Sequence, residues 1–519
     1  MKRFIRKVAV LGSGVMGSRI ACHFANVGCE VILLDIAPKE LDAAEEKKGL
    51  TLESSAVKNR IVNQSLQFAL KSNPSPIYRK SFASRIETGN FDDDLNKIKD
   101  CDWVIEVIIE RLDIKQQLFE KVELHRKEGT LISSNTSGIP IHMMLDGRSE
   151  DFQKHFCGTH FFNPPRYLQL LEIIPTPKTE GSVVDFLMDY GAKILGKKTV
   201  LCKDTPAFIA NRVGVYSIMA LFHAVKEMGF SVSEVDKLSG PILGRPKSAT
   251  FRTCDVVGLD TLVHVANGLK QNCPDDEEKE LFELPEYISK MVENNWLGSK
   301  SGQGFYKKEK DENGKKTILA LDLNTLEYKK SEKVKFPTLE MAKPIEDLKQ
   351  RTKMLVMGMD KAGEFYRRIF GGLLAYVSNR IPEISDEFYK IDDALKAGFG
   401  WELGPFESWD LFGYEQGVKF IKDANKTMGP AIDKMREAGM TSFYKSENGR
   451  KMFFDMATKS YKVIPGTEDL VDLNALREDN KVWGNSDCTL VHLGDGILNL
   501  EFHTKMNTIG GGVLQGIQK

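Results

Sequence analysis

An open, doubly wound α/β domain followed by two related all-α domains is the fold class this sequence predicts, and three observations carry it. A glycine-rich turn joins an apolar strand to a helix at the start of the chain. A β-α-β rhythm then continues to about residue 204, and after it a helical pattern occurs twice. At 519 residues the chain is too long for one hydrophobic core. The boundaries expected are 1–204, 205–306, a connector 307–345, a second helical copy 346–465, and a last unit beginning near 485.

Lys7 to Leu11 is a short β-branched run that leads into Gly12-Ser13-Gly14-Val15-Met16-Gly17 and a helical stretch, Ser18 to Val27. In such a unit Gly12 makes the tight turn, Gly14 lets backbone approach a pyrophosphate, and Gly17 allows close helix packing. The helix N-terminus favours phosphate charge, and Val15 and Met16 of the glycine turn are read with Gly12, Gly14 and Gly17 as cofactor-binding. A second strand, Glu30 to Leu34, ends at Asp35, where a carboxylate can accept from ribose hydroxyls and repel a 2′-phosphate. No arginine follows it, so the cofactor expected is NAD. Pro38 to Tyr78 reads as an inserted helical pair. Cys101 to Ile108 is the next buried strand, Leu112 to Lys127 a helix, and Thr130 to Ser134 a strand running into Asn135-Thr136-Ser137. Glu110, Lys115, Asn135 and Ser137 all lie just past strand ends, where doubly wound sheets bind ligands. From spacing alone, Glu110 with Lys115 reads equally well as a solvated ion pair.

The segment Thr159 to Glu172 offers His160 and, twelve positions on, Glu172. Imidazole takes and returns a proton near neutral pH, which the oxidation of a hydroxyl requires, and a carboxylate can orient it. A lone histidine is more often structural; the glycine turn upstream changes that weighting. Asn211 and Ser137 are uncharged donors suited to a carbonyl or developing ketone.

The helical pattern repeats in detail. Arg212, Asp236, Gly244-Arg245, Asp255 and Gly258 are matched by Arg368, Asp392, Gly400-Trp401, Asp410 and Gly413. The second copy has Arg367 where the first has Asn211, so it should contribute packing, a lid or a docking surface rather than chemistry. Lys307 to Lys335 is charged and reads as an exposed connector.

Composition excludes several classes. With 72 basic and 73 acidic residues, nothing points to nucleic acid or an anionic membrane. The eight cysteines lack close pairs, against a zinc site or a disulfide framework and for reduced thiols in a cytoplasmic protein. Apolar runs fall short of the roughly 20 residues a bilayer span needs, and no cleavable leader is read at the N-terminus.

Together these residues resemble the 3-hydroxyacyl-CoA dehydrogenase family. The matching runs are Gly12 to Gly17 with Asp35, Val104-Ile105-Glu106 with Glu110 and Lys115, Ser134 to Ser137, His160-Phe161-Phe162-Asn163-Pro164, Glu172, and Asp204 to Arg212. The resemblance implies a Rossmann-type NAD-binding domain, with Glu110 and Lys115 on the nicotinamide side. It implies His160 as base, Glu172 as its orienting partner, Ser137 and Asn211 positioning an acyl-CoA substrate, and specificity for the L (3S) isomer. Gly138 stands where a second serine is common, and Ala207 where glycine is usual. The layout is similar to the dehydrogenase part of a multifunctional fatty-acid oxidation protein, with 485–519 resembling the opening of an enoyl-CoA hydratase domain cut short. A homodimer or a thiolase complex is the assembly such proteins imply. The competing readings are a dehydrogenase of another 3-hydroxy acid and a noncatalytic NAD sensor or scaffold. Lys58, Arg60 and Lys71 are candidates for CoA phosphates, against a solvated face.

Overall fold

The computed structural model of the chain describes residues 3–310, 316–331, 334–447, 449–468 and 470–519. Eight strands form one sheet: β1 Lys7–Leu11, β2 Glu30–Asp35, β3 Ile86–Asn90, β4 Trp103–Glu106, β5 Leu131–Ser134, β6 Phe156–Phe161, β7 Leu170–Pro175 and β8 Lys198–Leu201. Their order is β3-β2-β1-β4-β5-β6-β7-β8, parallel throughout except where β6 meets β7. Both faces are covered, so the strands read as near-continuous apolar runs. Within β1, Ala9 and Leu11 join the core on one face while Val8 and Val10 join the core on the other.

The glycine turn behaves as its sequence requires. Gly12 has φ +106, and a Cβ on Gly17 would lie 1.8 Å from the Gly12 carbonyl oxygen, so neither position accepts a side chain. The helix Val15–Asn26 follows directly. Strand β3 went unanticipated, because Ile86-Glu-Thr-Gly-Asn carries one large apolar residue at the sheet edge. The expected helical pair between β2 and β3 is three helices, Ala43–Lys47, Ser55–Lys58 and Arg60–Lys71.

The duplication is present at the level of individual hydrogen bonds. Asp236 accepts from the amides of Thr250, Phe251 and Arg252 and from the Tyr306 hydroxyl; Asp392 accepts from the amides of Phe406 and Glu407 and from the Tyr444 hydroxyl. Asp255 holds the amides of Phe305 and Tyr306, and Asp410 those of Phe443 and Tyr444. Each carboxylate thus anchors a helix start or a strand start, where donors lack intrahelical partners. Gly244 and Gly400 both sit at φ +67.

The two copies are not all-α. Each closes on a three-stranded antiparallel sheet: β9 Tyr306–Lys310, β10 Lys316–Leu321 and β11 Tyr328–Lys330 in the first, β12 Tyr444–Glu447, β13 Arg450–Asp455 and β14 Ser460–Val463 in the second. Much of the stretch read as a connector is therefore part of the first copy. Its abundant lysine and glutamate hid the alternation of Ile318, Ala320 and their neighbours, since the sheet is exposed on one side. The last unit is a third small sheet, β15 Lys481–Gly484, β16 Cys488–Gly494 and β17 Ile497–Phe502, with a helix Gly511–Gln518. All eight cysteines are buried and unpaired with one another. Among the described residues no helix is long and apolar enough to cross a membrane and no cluster of side chains could hold a metal ion.

Candidate active site

His160 and Glu172 are direct cross-strand partners, His160 on β6 and Glu172 on β7. In an antiparallel pair such residues share a face, which explains the twelve-residue separation: a tight excursion returns the chain to the same level. His160 Nδ1 lies 2.7 Å from Glu172 Oε2, and the two side chains are 5% and 0% exposed. A carboxylate only accepts, so Nδ1 donates and Nε2 keeps its lone pair. Nε2 faces the Ser137 hydroxyl at 3.1 Å. The rings of Phe162 and Phe208 flank the imidazole, with centroids 4.5 and 5.6 Å away.

The other oxygen of Glu172 is equally committed. Oε1 accepts from the backbone amides of Ala210 at 2.8 Å and Ile209 at 3.2 Å, at the start of the helix Ala210–Glu227. A helix N-terminus stabilises a carboxylate there. Asn211 occupies the next position in that turn. Ala207 and Phe208, which lead into it, have φ +60 and +53, a left-handed conformation that costs a non-glycine residue about 1–2 kcal/mol.

A second buried cluster lies at the ends of β4 and β5. Lys115 is 1% exposed and donates to Glu106 Oε1 at 2.6 Å, with Glu110 Oε2 at 3.4 Å. The solvated ion pair is thus ruled out: Lys115 is a core residue whose main partner is Glu106. Glu106 also accepts from the Ser134 hydroxyl at 2.5 Å and the Ile108 amide at 2.7 Å. Breaking a fully buried pair by removing one partner typically costs about 3–5 kcal/mol. Glu110 accepts from the Thr136 hydroxyl at 2.5 Å, the Ser137 amide at 2.9 Å and the Gly138 amide at 3.1 Å. Burial alone would raise its carboxyl. The Lys115 ammonium and those three donors outweigh burial and hold it below the ordinary value. Asn135 accepts from the Phe161 amide at 2.8 Å, which ties the β5 end to the residue after His160.

Sequence reasoning missed Glu106 as a site residue, along with Thr136, Phe208 and the 209–210 amides. The signal for Glu106 was a carboxylate ending an apolar strand, because a buried charge needs a partner and Lys115 stands nine positions on.

The cofactor end fits a dinucleotide. A Cβ on Gly14 would meet no atom of the chain within 4 Å, so its glycine answers to something other than internal packing. Asp35 sits at the end of β2 and accepts from the Ser13 amide at 2.6 Å and the Ser13 hydroxyl at 2.5 Å, which fixes the carboxylate beside the glycine turn. Val15 is exposed at the head of its helix and Met16 half-buried. Of the proposed CoA contacts, Lys58 pairs with Glu53 and Asp93 and Arg60 with Asp42 and Glu45, so both serve the inserted helices; Lys71 is exposed.

A glycine-turn sheet domain ending β2 in a lone carboxylate, joined to a histidine held between a carboxylate and a hydroxyl, defines an NAD-binding oxidoreductase. The chain belongs to the 3-hydroxyacyl-CoA dehydrogenase family: residues 7–205 match its NAD binding domain and residues 208–308 its C-terminal domain. It is 46% identical over 520 residues to a probable 3-hydroxyacyl-CoA dehydrogenase of Bacillus subtilis, a match that takes in all of this chain and 65% of that protein. It is 48% identical over 308 residues to a protein of the same description from Deinococcus radiodurans, covering 59% of this chain and 84% of the relative. A putative fatty acid oxidation complex trifunctional enzyme of Rickettsia felis is 32% identical over 426 residues, 82% of this chain and 56% of that protein. The chain thus spans about two thirds or less of two of these relatives.

Proposed function

We propose that this chain catalyses the reversible NAD-dependent oxidation of an L-3-hydroxyacyl-CoA to the 3-ketoacyl-CoA, the dehydrogenase step of fatty-acid β-oxidation. The observation that carries it is the fixed imidazole of His160, with Nδ1 donating to Glu172 and Nε2 turned to the Ser137 hydroxyl. NAD supplies the hydride acceptor when bound, at the glycine turn and Asp35. His160 Nε2 takes the proton of the substrate hydroxyl, and the Glu172 carboxylate stabilises the imidazolium that results. A base of this kind typically contributes about 10²–10⁴-fold. Ser137 and Asn211 hold the substrate oxygens, and the Phe162 and Phe208 rings keep water from the imidazole.

Glu110, Lys115 and Asn135 form the wall on the nicotinamide side. Residues 485–519 are read as resembling the opening of a hydratase-like domain, in keeping with the similarity to a putative trifunctional enzyme, and a homodimer or thiolase complex as the assembly. The test is reduction of NAD by this chain across a panel of 3-hydroxyacyl-CoAs of different length and both configurations. Turnover of the 3S compounds alone supports the reading; no turnover of any CoA ester overturns it.

A further inference from the structure

Two residues beyond the amide that holds Glu172, the helix Ala210–Glu227 carries Arg212, a guanidinium with no exposed surface. Its Nε donates to the Tyr376 hydroxyl at 2.7 Å. Its Nη2 reaches Asp276 at 2.7 Å and Glu383 at 3.0 Å, and its Nη1 lies 2.8 Å from Cys273 Sγ. Asp276 also accepts from Tyr376 at 2.9 Å and from Arg380 at 3.2 Å. One turn along the helix, Tyr216 stacks on Tyr376 with ring centroids 3.7 Å apart and planes 3° from parallel. Tyr376, Arg380 and Glu383 all belong to the second helical copy. The first turn of the helix that serves Glu172 is therefore gripped by the copy that has Arg367 where the first has Asn211.

That grip has something to hold. Ala207 and Phe208 enter the helix in left-handed conformations, and such backbone persists only where its surroundings over-determine it. Glu172 and Asn211 depend on where this turn begins, Glu172 through the 209 and 210 amides and Asn211 by occupying it. A buried ionic cluster specifies one arrangement, because displacing any member leaves an uncompensated charge.

We infer that Tyr376 and Glu383, from the second helical copy, are positioning residues for the reaction: they fix Arg212, and with it the helix start that supplies the amides to Glu172 and carries Asn211. The inference rests on His160 and Glu172 acting as proposed above. If the grip loosens, the amides withdraw from Glu172 and its carboxylate becomes more basic. His160 then keeps its proton to higher pH, and the acid limb of the kcat/KM profile moves upward.

The experiment uses the whole chain carrying Tyr376→Phe or Glu383→Gln, with Arg367→Ala as a control in the same copy but outside the cluster. Profiles of kcat/KM are measured from about pH 6 to about pH 9, with NAD affinity and thermal unfolding alongside. Tyr376→Phe is expected to lower kcat/KM about 10-fold and to raise the acid-limb midpoint by about half a pH unit, with NAD affinity within about two-fold. Arg367→Ala should leave the midpoint in place. Glu383 is 40% exposed at its side chain, so its glutamine variant carries the test if Tyr376→Phe does not fold. Profiles of either folded variant that superimpose on wild type would overturn the inference. A His160→Gln variant that keeps full activity would instead refute the mechanism on which it rests.

Discussion

Replacing Glu172 by glutamine changes one atom of the site, and the hydrogen bonds around that atom determine the consequence for the base. Both carboxylate oxygens act as acceptors: Oε2 from His160 Nδ1 at 2.7 Å, Oε1 from the Ala210 and Ile209 amides at 2.8 and 3.2 Å. Glutamine has one acceptor and one donor in their place. The backbone amides cannot reverse, so the glutamine oxygen turns to them and its NH₂ group faces Nδ1. Nδ1 must then accept, the ring proton moves to Nε2, and the atom that should take the substrate proton is already protonated. Turning the amide over restores the tautomer but leaves two buried N–H groups against an NH₂. Leaving a buried group unsatisfied costs about 1–3 kcal/mol. A penalty near 3 kcal/mol corresponds to about 10²-fold in rate, so Glu172→Gln should lower turnover by about that factor with NAD affinity nearly unchanged. Because the two residues act as one unit, adding His160→Gln should cost little more than His160→Gln alone. The assay is steady-state appearance of reduced nicotinamide at saturating substrate and NAD. A Glu172→Gln enzyme within about three-fold of wild type would refute the tautomer argument.

Three further outcomes are expected. Asp35→Ala removes the carboxylate that would exclude a 2′-phosphate and should narrow the preference for NAD over NADP; an unchanged ratio in parallel Michaelis measurements would count against the assignment. Arg367 donates to the carbonyls of Val356 and Gly358, a local structural task, so Arg367→Ala should keep turnover within about three-fold while lowering the unfolding temperature; a loss as large as that of an Asn211 variant would contradict it. Burial pushes the Asp236 carboxyl up from 3.8 to about 6, against the pull of its three amides and Tyr306. The folded state therefore holds this proton more tightly than the unfolded state. The stability it gives is full below about pH 4 and lost as pH rises through about 6, roughly 3 kcal/mol in all. Asp236→Asn should gain on wild type by about that amount between those limits in denaturant titrations, and parallel pH dependences would disprove it.

The parts of the fold that read clearly from sequence are those where local chemistry and tertiary role agree. Gly12 and Gly17 are required by a turn and a close contact within six residues of each other, and Asp35 ends a strand whose apolar run is continuous. The repeated aspartates were visible by spacing because each makes the same kind of bond in its own copy: Asp236 and Asp392 hold amides 15 and 14 residues ahead, Asp255 and Asp410 amides 50 and 33 residues ahead. His160 with Glu172 was legible as a pair of residue types, and the register of β6 on β7 supplies the physical reason for their separation. The features that escaped depend on partners distant in sequence. Lys115 read equally well as a solvated ion and as a ligand-side residue, because nothing local says that its helix start is buried. The small sheet β9–β11 looked like linker and β12–β14 like part of the second helical copy, because both sheets carry exposed charged residues that mask their alternation. The grip of Tyr376 and Glu383 on Arg212 spans more than 160 residues and leaves no local pattern at all.

The central claim is that His160 is the proton acceptor of an NAD-dependent 3-hydroxyacyl-CoA oxidation. Its most direct test is the rate of NAD reduction by wild type and by His160→Gln, with a (3S)-3-hydroxyacyl-CoA and NAD both saturating, from about pH 6 to about pH 9. The account predicts robust turnover by the wild type and a fall of about 10²-fold or more in the variant, with NAD affinity retained. Near wild-type rates in the variant across that range would contradict it.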